Sequence, residues 1–395
     1  RSFFSRGHQR TIRAKKNIAI SFISKALSIL ISFLIVPLTL SYVGKVEYGI
    51  WMTLSSIIHW FTFFDIGLGN GLRNKLAEAL AKNDEKSAKI FVSSAFALVT
   101  LITLFMMICF FIVASAISWN KVFNTYLIPN KELLKIVLAV FLLFSVGFVF
   151  RLLSSILQAL QRYGINDILG IIAQLIGLGG IFMLVKTTEG SLFNLCIVYA
   201  GKTPLVMFLA SFLFFGLSIK SLRPRLAYIH FRHALPLINL GLKFFISQIF
   251  YLIVTQSSLI LVAQFFGPAD VTVFNLAVRY MTIATMVYMM ILTPFLSAFT
   301  EAYTKKEYDW IKLTMNKINM VWIITSVITV LLIFVYRPFF RLWVGEKIDV
   351  PLTLIITLSF SGIIRTYYNK YSLFMNGIGK IKLQLYLIGI QAFLF

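Results

Sequence analysis

An all-α integral membrane protein is the fold class this sequence predicts, and three observations predict it. Hydrophobic residues make up 59% of the 395 and charged residues only 13%, with a mean hydropathy of +0.87. A soluble domain is roughly half apolar and one quarter charged. Apolar runs recur along the whole chain at about twenty residues or more, the length that crosses a hydrocarbon core of about 30 Å as a helix. Basic residues, finally, gather in alternate connecting segments, as loops on the inner side of a membrane do. A transmembrane β-barrel would show alternating segments of about ten residues, and none are present.

In chain order the runs give ten full spans, near residues 17–41, 49–68, 91–118, 134–158, 167–185, 191–218, 236–264, 271–298, 317–336 and 350–374. An eleventh opens at 381 and is still apolar at Phe395, so at least one further helix is expected beyond the C-terminal end. Pro37, Pro204 and Pro294 fall inside spans, where neighbouring helices can satisfy the freed carbonyls, so they predict kinks and not breaks. The first run is of membrane length and has no small-residue cleavage site, which argues against a cleavable signal peptide. Cys109 and Cys196 lie within apolar runs, lack metal-ligand spacing and read as small core residues.

The chain holds 37 Lys and Arg against 14 Asp and Glu. With the N-terminus inside, the inner segments 1–16, 71–90, 161–166, 220–234, 300–317 and 376–382 carry 22 of the 37, and the outer segments carry 8. That asymmetry places the N-terminus in the cytoplasm. Most of the positive charge is therefore a topological signal, and nucleic acid is not an expected partner. Seven bases remain within spans: Lys25, Arg151, Lys202, Lys243, Arg279, Arg365 and Lys370. Each would cost about 2.5–3.5 kcal/mol at the bilayer centre on insertion scales. Lys25, Lys243 and Lys370 lie close enough to the inner face to snorkel, so they divide between that role and a cavity. Arg151, Lys202, Arg279 and Arg365 sit deeper and are expected to line a cavity. Against these bases stands a single acid within a span, Asp65.

The chain also repeats. SYVGKVEYG at 41–49 aligns with QFFGPADVT at 264–272 at an offset of 223, and the same offset lays AKNDEKSAK at 81–89 over TKKEYDWIK at 304–312. LQALQRYG, ending at Gly164, resembles SLFMNGIG, ending at Gly379, and puts Arg151 within one position of Arg365. Six helices separate the copies, so both point the same way. Two parallel bundles, 1–222 with helices 1–6 and 223–395 with helices 7–11, form a transporter plan with the path between the halves.

Asp65-Ile-Gly-Leu-Gly-Asn-Gly-Leu-Arg-Asn, following YGIWMTLSSIIHWFTFF, strongly resembles the end of the second helix in polysaccharide and O-antigen flippases of the Wzx type. These belong to the multidrug/oligosaccharidyl-lipid/polysaccharide exporter superfamily, and MNGIGKIK at 375–382 is a weaker second mark. Read as residues alone, Gly67, Gly69 and Gly71 let the backbone leave helical geometry, with Asn70 among them. Leu72, Leu76, Ala79 and Leu80 then form the apolar face of a helix whose other face carries Arg73, Lys75 and Glu78. Two roles are open to Asp65: holding Arg73 or another base in place, or standing hydrated at the interface. A glycine-rich nucleotide-binding loop is excluded by the context, a membrane helix in place of a strand–turn–helix.

The resemblance implies a cargo: an oligosaccharide on a polyprenyl diphosphate, moved from the cytoplasmic to the periplasmic leaflet of a bacterial plasma membrane. Membrane lipids surround it, with a glycan polymerase and a chain-length regulator as the protein partners it would admit. The bases within spans suit the diphosphate, Arg through its fork and Lys as a point charge. Trp60, Tyr251, Tyr280 and Tyr288 are candidates for stacking on sugars, although most aromatics of such a chain pack against lipid. Two siblings stay open, a drug/cation antiporter and a lipid II flippase. A membrane glycan polymerase would need acids on a large outer loop, and the longest outer loops hold only Glu132, Glu346 and Asp349. His59, the one span histidine, is expected to be a packing residue. No enzyme activity, metal or cofactor is expected.

Overall fold

A computed structural model describes residues 9–65, 67–230, 257–293, 295–346, 348–378 and 386, without the side chains of 9–22, 63, 65, 297, 300, 301 and 377. Every regular element among the described residues is a helix. Among the described residues seven helices are long and apolar enough to cross a membrane, and the chain is a multi-pass membrane protein.

The first two expected spans are two helices that meet at a single non-helical residue and are labelled together α1 (Gln9–Phe61). That residue is Gly44, at φ 80°, ψ 179°, a region open in practice only to glycine because a Cβ would strike the adjoining peptide. Where the sequence predicts a loop at 43–48, the chain needs only this hinge. A 3-10 turn, Thr62–Asp65, ends the helix. Next come α2 (Leu68–Ala81) and α3 (Glu85–Ala116), the latter capped by Asp84, whose side chain accepts from the Ser87 amide at 2.9 Å. Within the connection after α3, the short α4 (Trp119–Phe123) is closed by the Asn120 amide, which donates to the carbonyls of Thr125 and Ile128 at 2.8 Å each. The expected span at 134–158 is divided at Arg151 into α5 (Asn130–Phe150) and α6 (Leu152–Ala159). Then follow α7 (Tyr163–Thr187) and α8 (Leu192–Leu213), which holds Pro204 without breaking and finishes in a π turn, Phe214–Ser218. After it come α9 (Ser257–Phe266), α10 (Pro268–Leu292), α11 (Phe295–Thr304), α12 (Tyr308–Val344) and α13 (Leu352–Gly377). Most of the expected span at 236–264, nearly all of that from 381, and Pro294 lie outside the described residues.

The chain divides into two compact units, Arg1–Leu252 and Ile253–Phe395. In the first, α1 packs on α7, α5 on α8, and α7 on α8. Gly177 permits the last approach: a Cβ there would lie 2.6 Å from Lys202 Cδ. One end of this unit is closed by an apolar core. Leu68, Leu72, Leu76 and Ala79 of α2 are buried there with Ala88, Val92 and Ala95 of α3 and Leu153, Ile156 and Leu157 of α6, and Leu80 packs partly buried beside them. The amphipathic face read from the sequence is this one, but it lies on neighbouring helices and not on lipid. Each buried leucine contributes about 1.5–3 kcal/mol by leaving water. In the second unit α13 packs on α10, α11 and α12.

The two units share local geometry at the offset of 223. Gly267 stands at φ 88°, ψ 171°, close to Gly44, and Asn83 and Lys306 are both left-handed, at φ 56° and 59°. The amide of Asp84 donates to Ala79 O and that of Glu307 to Ala302 O, each at 2.9 Å, and helices begin at Glu85 and Tyr308. Further along, the register slips. Pro129 and Pro351 start α5 and α13 in the same conformation, but the helical stretches close at Leu160 and Ile378, so the second copy is four residues shorter. Arg151 lies nine residues before its closing cap, Arg365 thirteen before the other, and Lys370 eight. The expected equivalence of Arg151 with Arg365 is therefore off by about one helical turn; Lys370 is the nearer counterpart.

Candidate functional site

The motif after α1 builds one wall of a cavity. Gly67 is left-handed, at φ 71°, ψ 14°, and caps α2, while the Gly71 amide returns to Gly67 O at 2.9 Å. Gly69, Asn70 and Gly71 lie inside α2, so only the first of the three glycines leaves helical geometry. With α2 started this way, Gly69 and Asn70 face the break between α5 and α6. Together with Thr62, Val99, Phe148, Arg151, Leu152, Ser154, Ser155 and Gln158 they enclose about 130 Å³. The lining is mostly polar in an otherwise apolar unit, and the side chain of Arg151 is exposed. Arg73 Nη1 donates to Gln158 Oε1 at 3.4 Å, which ties α2 to the far wall. Asp65 ends the 3-10 turn beside this wall, and its side chain is not among those described.

Lys202 occupies a second place in the same unit. Its ammonium lies 4.7 Å from the centre of the Tyr199 ring, one turn earlier on α8. Tyr199 OH shares a hydrogen bond with Thr39 Oγ1 at 2.9 Å, and its ring lies 5.1 Å from that of Trp51. Lys202 is thus a half-buried cation on an aromatic pair, seated over Gly177.

In the second unit the predicted bases separate by environment. Arg365 is exposed, and the half-buried Arg279 donates from Nε to Asn275 Oδ1 at 3.2 Å. Lys370 differs from both. Only 2% of it is exposed, and its Nζ donates to Asn319 Oδ1 at 2.6 Å. Three rings surround the ammonium, Tyr367 at 3.7 Å, Tyr371 at 4.9 Å and Trp322 at 5.1 Å from their centres. Neither snorkelling nor an open cavity describes it; the lysine is enclosed in an aromatic box. Lys25 is exposed on α1, and Lys243 lies outside the described residues.

Other expectations need correction. Tyr280 and Tyr288 are 1% and 0% exposed, and Tyr280 donates to Leu332 O at 2.8 Å, so neither offers a face to a sugar. Trp60 is half-buried, Tyr251 is outside the described residues, and His59 is exposed instead of packed. Thr62, Ser154, Ser155 and Gln158 were not singled out by sequence, because hydroxyls and amides inside helices commonly bond their own backbone. Tyr199 and Tyr367 did leave a signal: each precedes its lysine by three residues, the spacing that stacks side chains on one helix face. Among the described residues no group of three His, Cys, Asp or Glu could hold a metal ion.

The family described as polysaccharide biosynthesis protein matches residues 14–300. A Yersinia pseudotuberculosis protein named for O-antigen export is 24% identical over 370 residues, covering 91% of this chain and 82% of that one. A Salmonella typhimurium protein named for O-antigen transport is 21% identical over 382 residues, covering 94% and 85%. Among solved structures, the lipid II flippase MurJ in an inward closed conformation has a TM-score of 0.63 at 18% identity over 95% of this chain and 79% of that one. An inward-facing multidrug resistance MATE family transporter of the MOP superfamily has 0.60 at 15% identity, over 95% and 84%.

Proposed function

Because the chain belongs to the polysaccharide biosynthesis protein family, we propose that it is a flippase for a surface-polysaccharide repeat unit. The cargo is an oligosaccharide carried on a polyprenyl diphosphate, taken from the cytoplasmic to the outer leaflet of a bacterial plasma membrane by alternating access. The names of the two curated relatives support a cargo of the O-antigen kind. With the N-terminus in the cytoplasm, as the distribution of Lys and Arg argues, α2 and the Arg151 cavity stand at the cytoplasmic end of the first unit.

The observation that carries this reading is Arg151 on the wall of a polar cavity at a break in a membrane helix. A diphosphate cannot enter hydrocarbon unpaired, because a buried charge without partners costs many kcal/mol. A guanidinium among hydroxyls and amides supplies both the counter-charge and the donors a phosphate oxygen requires. At about 130 Å³ the cavity is well below the roughly 300–1,000 Å³ of a site for a whole organic ligand. It suits one charged group, with the sugars accommodated elsewhere and the lipid tail left in the bilayer. Lys202, Arg279 and Arg365 are further cations for the passage of that headgroup. The chain's own residues bind and shield and break no bond.

Deletion of the gene in its host tests this reading. Lipid-linked glycan should accumulate in the inner leaflet and surface glycan should disappear, and the wild-type chain should restore both. Surface glycan that persists in the deletion strain would remove the assignment.

A further inference from the structure

Among the described residues, Lys370 is a buried cation with no carboxylate paired to it. Its hydrogen-bond partner is the neutral amide of Asn319, and the rings of Trp322, Tyr367 and Tyr371 lie beside its ammonium. Rings and an amide offset the loss of water but bring no net negative charge of their own. Holding α12 to α13 does not require this arrangement. Trp322 Nε1 already donates across that interface to Ile363 O at 3.2 Å, and an apolar side chain at 370 would fill the space without the cost of burying an ion.

The box is thin on one side. Tyr367 and Tyr371, whose hydroxyls lie 3.3 Å apart, are each 42% exposed, so a single layer of ring separates the ammonium from the outside of the unit. A lysine carries its charge on a flexible four-carbon stem. Lys370 also stands eight residues before its helix cap, where Arg151 stands nine before its own, so each unit holds a cation at nearly the same distance from its closing cap. One lines an open polar cavity; the other is sheathed.

We infer that Lys370 is a sheathed phosphate ligand, held by Trp322, Tyr367, Tyr371 and Asn319 until an anionic diphosphate headgroup draws its ammonium out of the box. The inference rests on the proposed function for the class of cargo, but its test does not need export. Trp322 serves as the reporter, since departure of the cation from 5.1 Å changes its fluorescence. In full-length protein with Trp51, Trp60, Trp119, Trp310 and Trp343 replaced by Phe, farnesyl diphosphate and inorganic diphosphate are titrated in lipid nanodiscs. A saturable Trp322 signal is expected with both, and Lys370→Met should weaken the response at least tenfold. Asn319→Leu, which keeps the lysine and the rings but removes the competing acceptor, should tighten it several-fold and decides the matter if the methionine variant does not fold. A Trp322 signal unmoved by either diphosphate, or an equal response in Lys370→Met, overturns the inference. So does an Asn319→Leu titration that matches the parent. Loss of surface-glycan dependence on the gene would instead strike the proposed function and leave the fluorescence result standing.

Discussion

Arg151 concentrates more of the candidate site than any other side chain, because it meets the motif, the helix break and the polar wall at once. Arg151→Ala should lower export of lipid-linked glycan at least tenfold while expression and insertion stay normal, and Arg151→Lys should retain part of it, since a point charge lacks the fork. Radiolabelled lipid-linked glycan in each leaflet measures both. Gly67 is a different case, for its role is backbone. Its φ of 71° costs an L-residue about 1–2 kcal/mol, so Gly67→Ala should destabilise by that amount, whereas alanine at helical Gly69 should not. Thermal unfolding in detergent separates the two. The bases were legible in the sequence because a charge within an apolar run stands out. Their surroundings were not: the box around Lys370 takes Asn319 and Trp322 from a helix about fifty residues away, a pairing that only packing decides.

The second amphipathic element, α2, shows how far pattern reading carries. Leu72, Leu76, Ala79 and Leu80 predict one apolar face, and in the structure the first three are buried and Leu80 packs partly buried beside them. The pattern alone did not say whether lipid or protein would cover it. Because α3 and α6 do, Leu76→Ala should cost about 2–5 kcal/mol, as a truncation in a packed core does. A helix resting on lipid would tolerate the change. Its outer face is a charge arrangement of small energetic weight, since the ion pairs are exposed. Glu78 accepts from Lys75 and from Lys82 at 2.8 Å each, and hydrogen bonds from the two lysines push its carboxyl down to about 2. A depressed folded-state pKa means that this contribution is complete above the ordinary carboxylate range near 4.5 and is lost as pH falls toward 2. Amide protection in α2, taken relative to the intrinsic exchange rate at each pH, should therefore fall slightly between pH 4.5 and 3 in the wild type and not in Glu78→Gln. The same reasoning places the slipped register of α13. Pro129 and Pro351 are visible as punctuation, but four residues fewer in one copy cannot be located by aligning apolar helices, which all resemble one another.

Taken as one molecule, the chain is a duplicated design, and the duplication makes its own prediction. Gly44 and Gly267 hold the same glycine-only conformation at the starts of matching helices, so Gly44→Ala and Gly267→Ala should each cost about 1–3 kcal/mol. Asn83→Gly and Lys306→Gly should both be neutral or stabilising, because each relieves a left-handed residue. The charge of the cargo also bears on energy coupling. A carrier that binds an anion through lysine and arginine moves net negative charge outward, and a cell interior that is negative favours that movement by about 2.3 kcal/mol per charge per 100 mV. At room temperature this is a bias of roughly fiftyfold for each charge carried through the full potential. The expectation is that the potential by itself can bias export, with ion antiport optional. In proteoliposomes holding fluorescent lipid-linked glycan, an inside-negative potassium diffusion potential should speed outward flipping, and reversing its sign should slow it. Collapsing a proton gradient at fixed potential should change little. Flipping that ignores the potential but follows the proton gradient would mean that the positive charges bind the cargo without setting its direction, and that a titrating carboxylate supplies the drive.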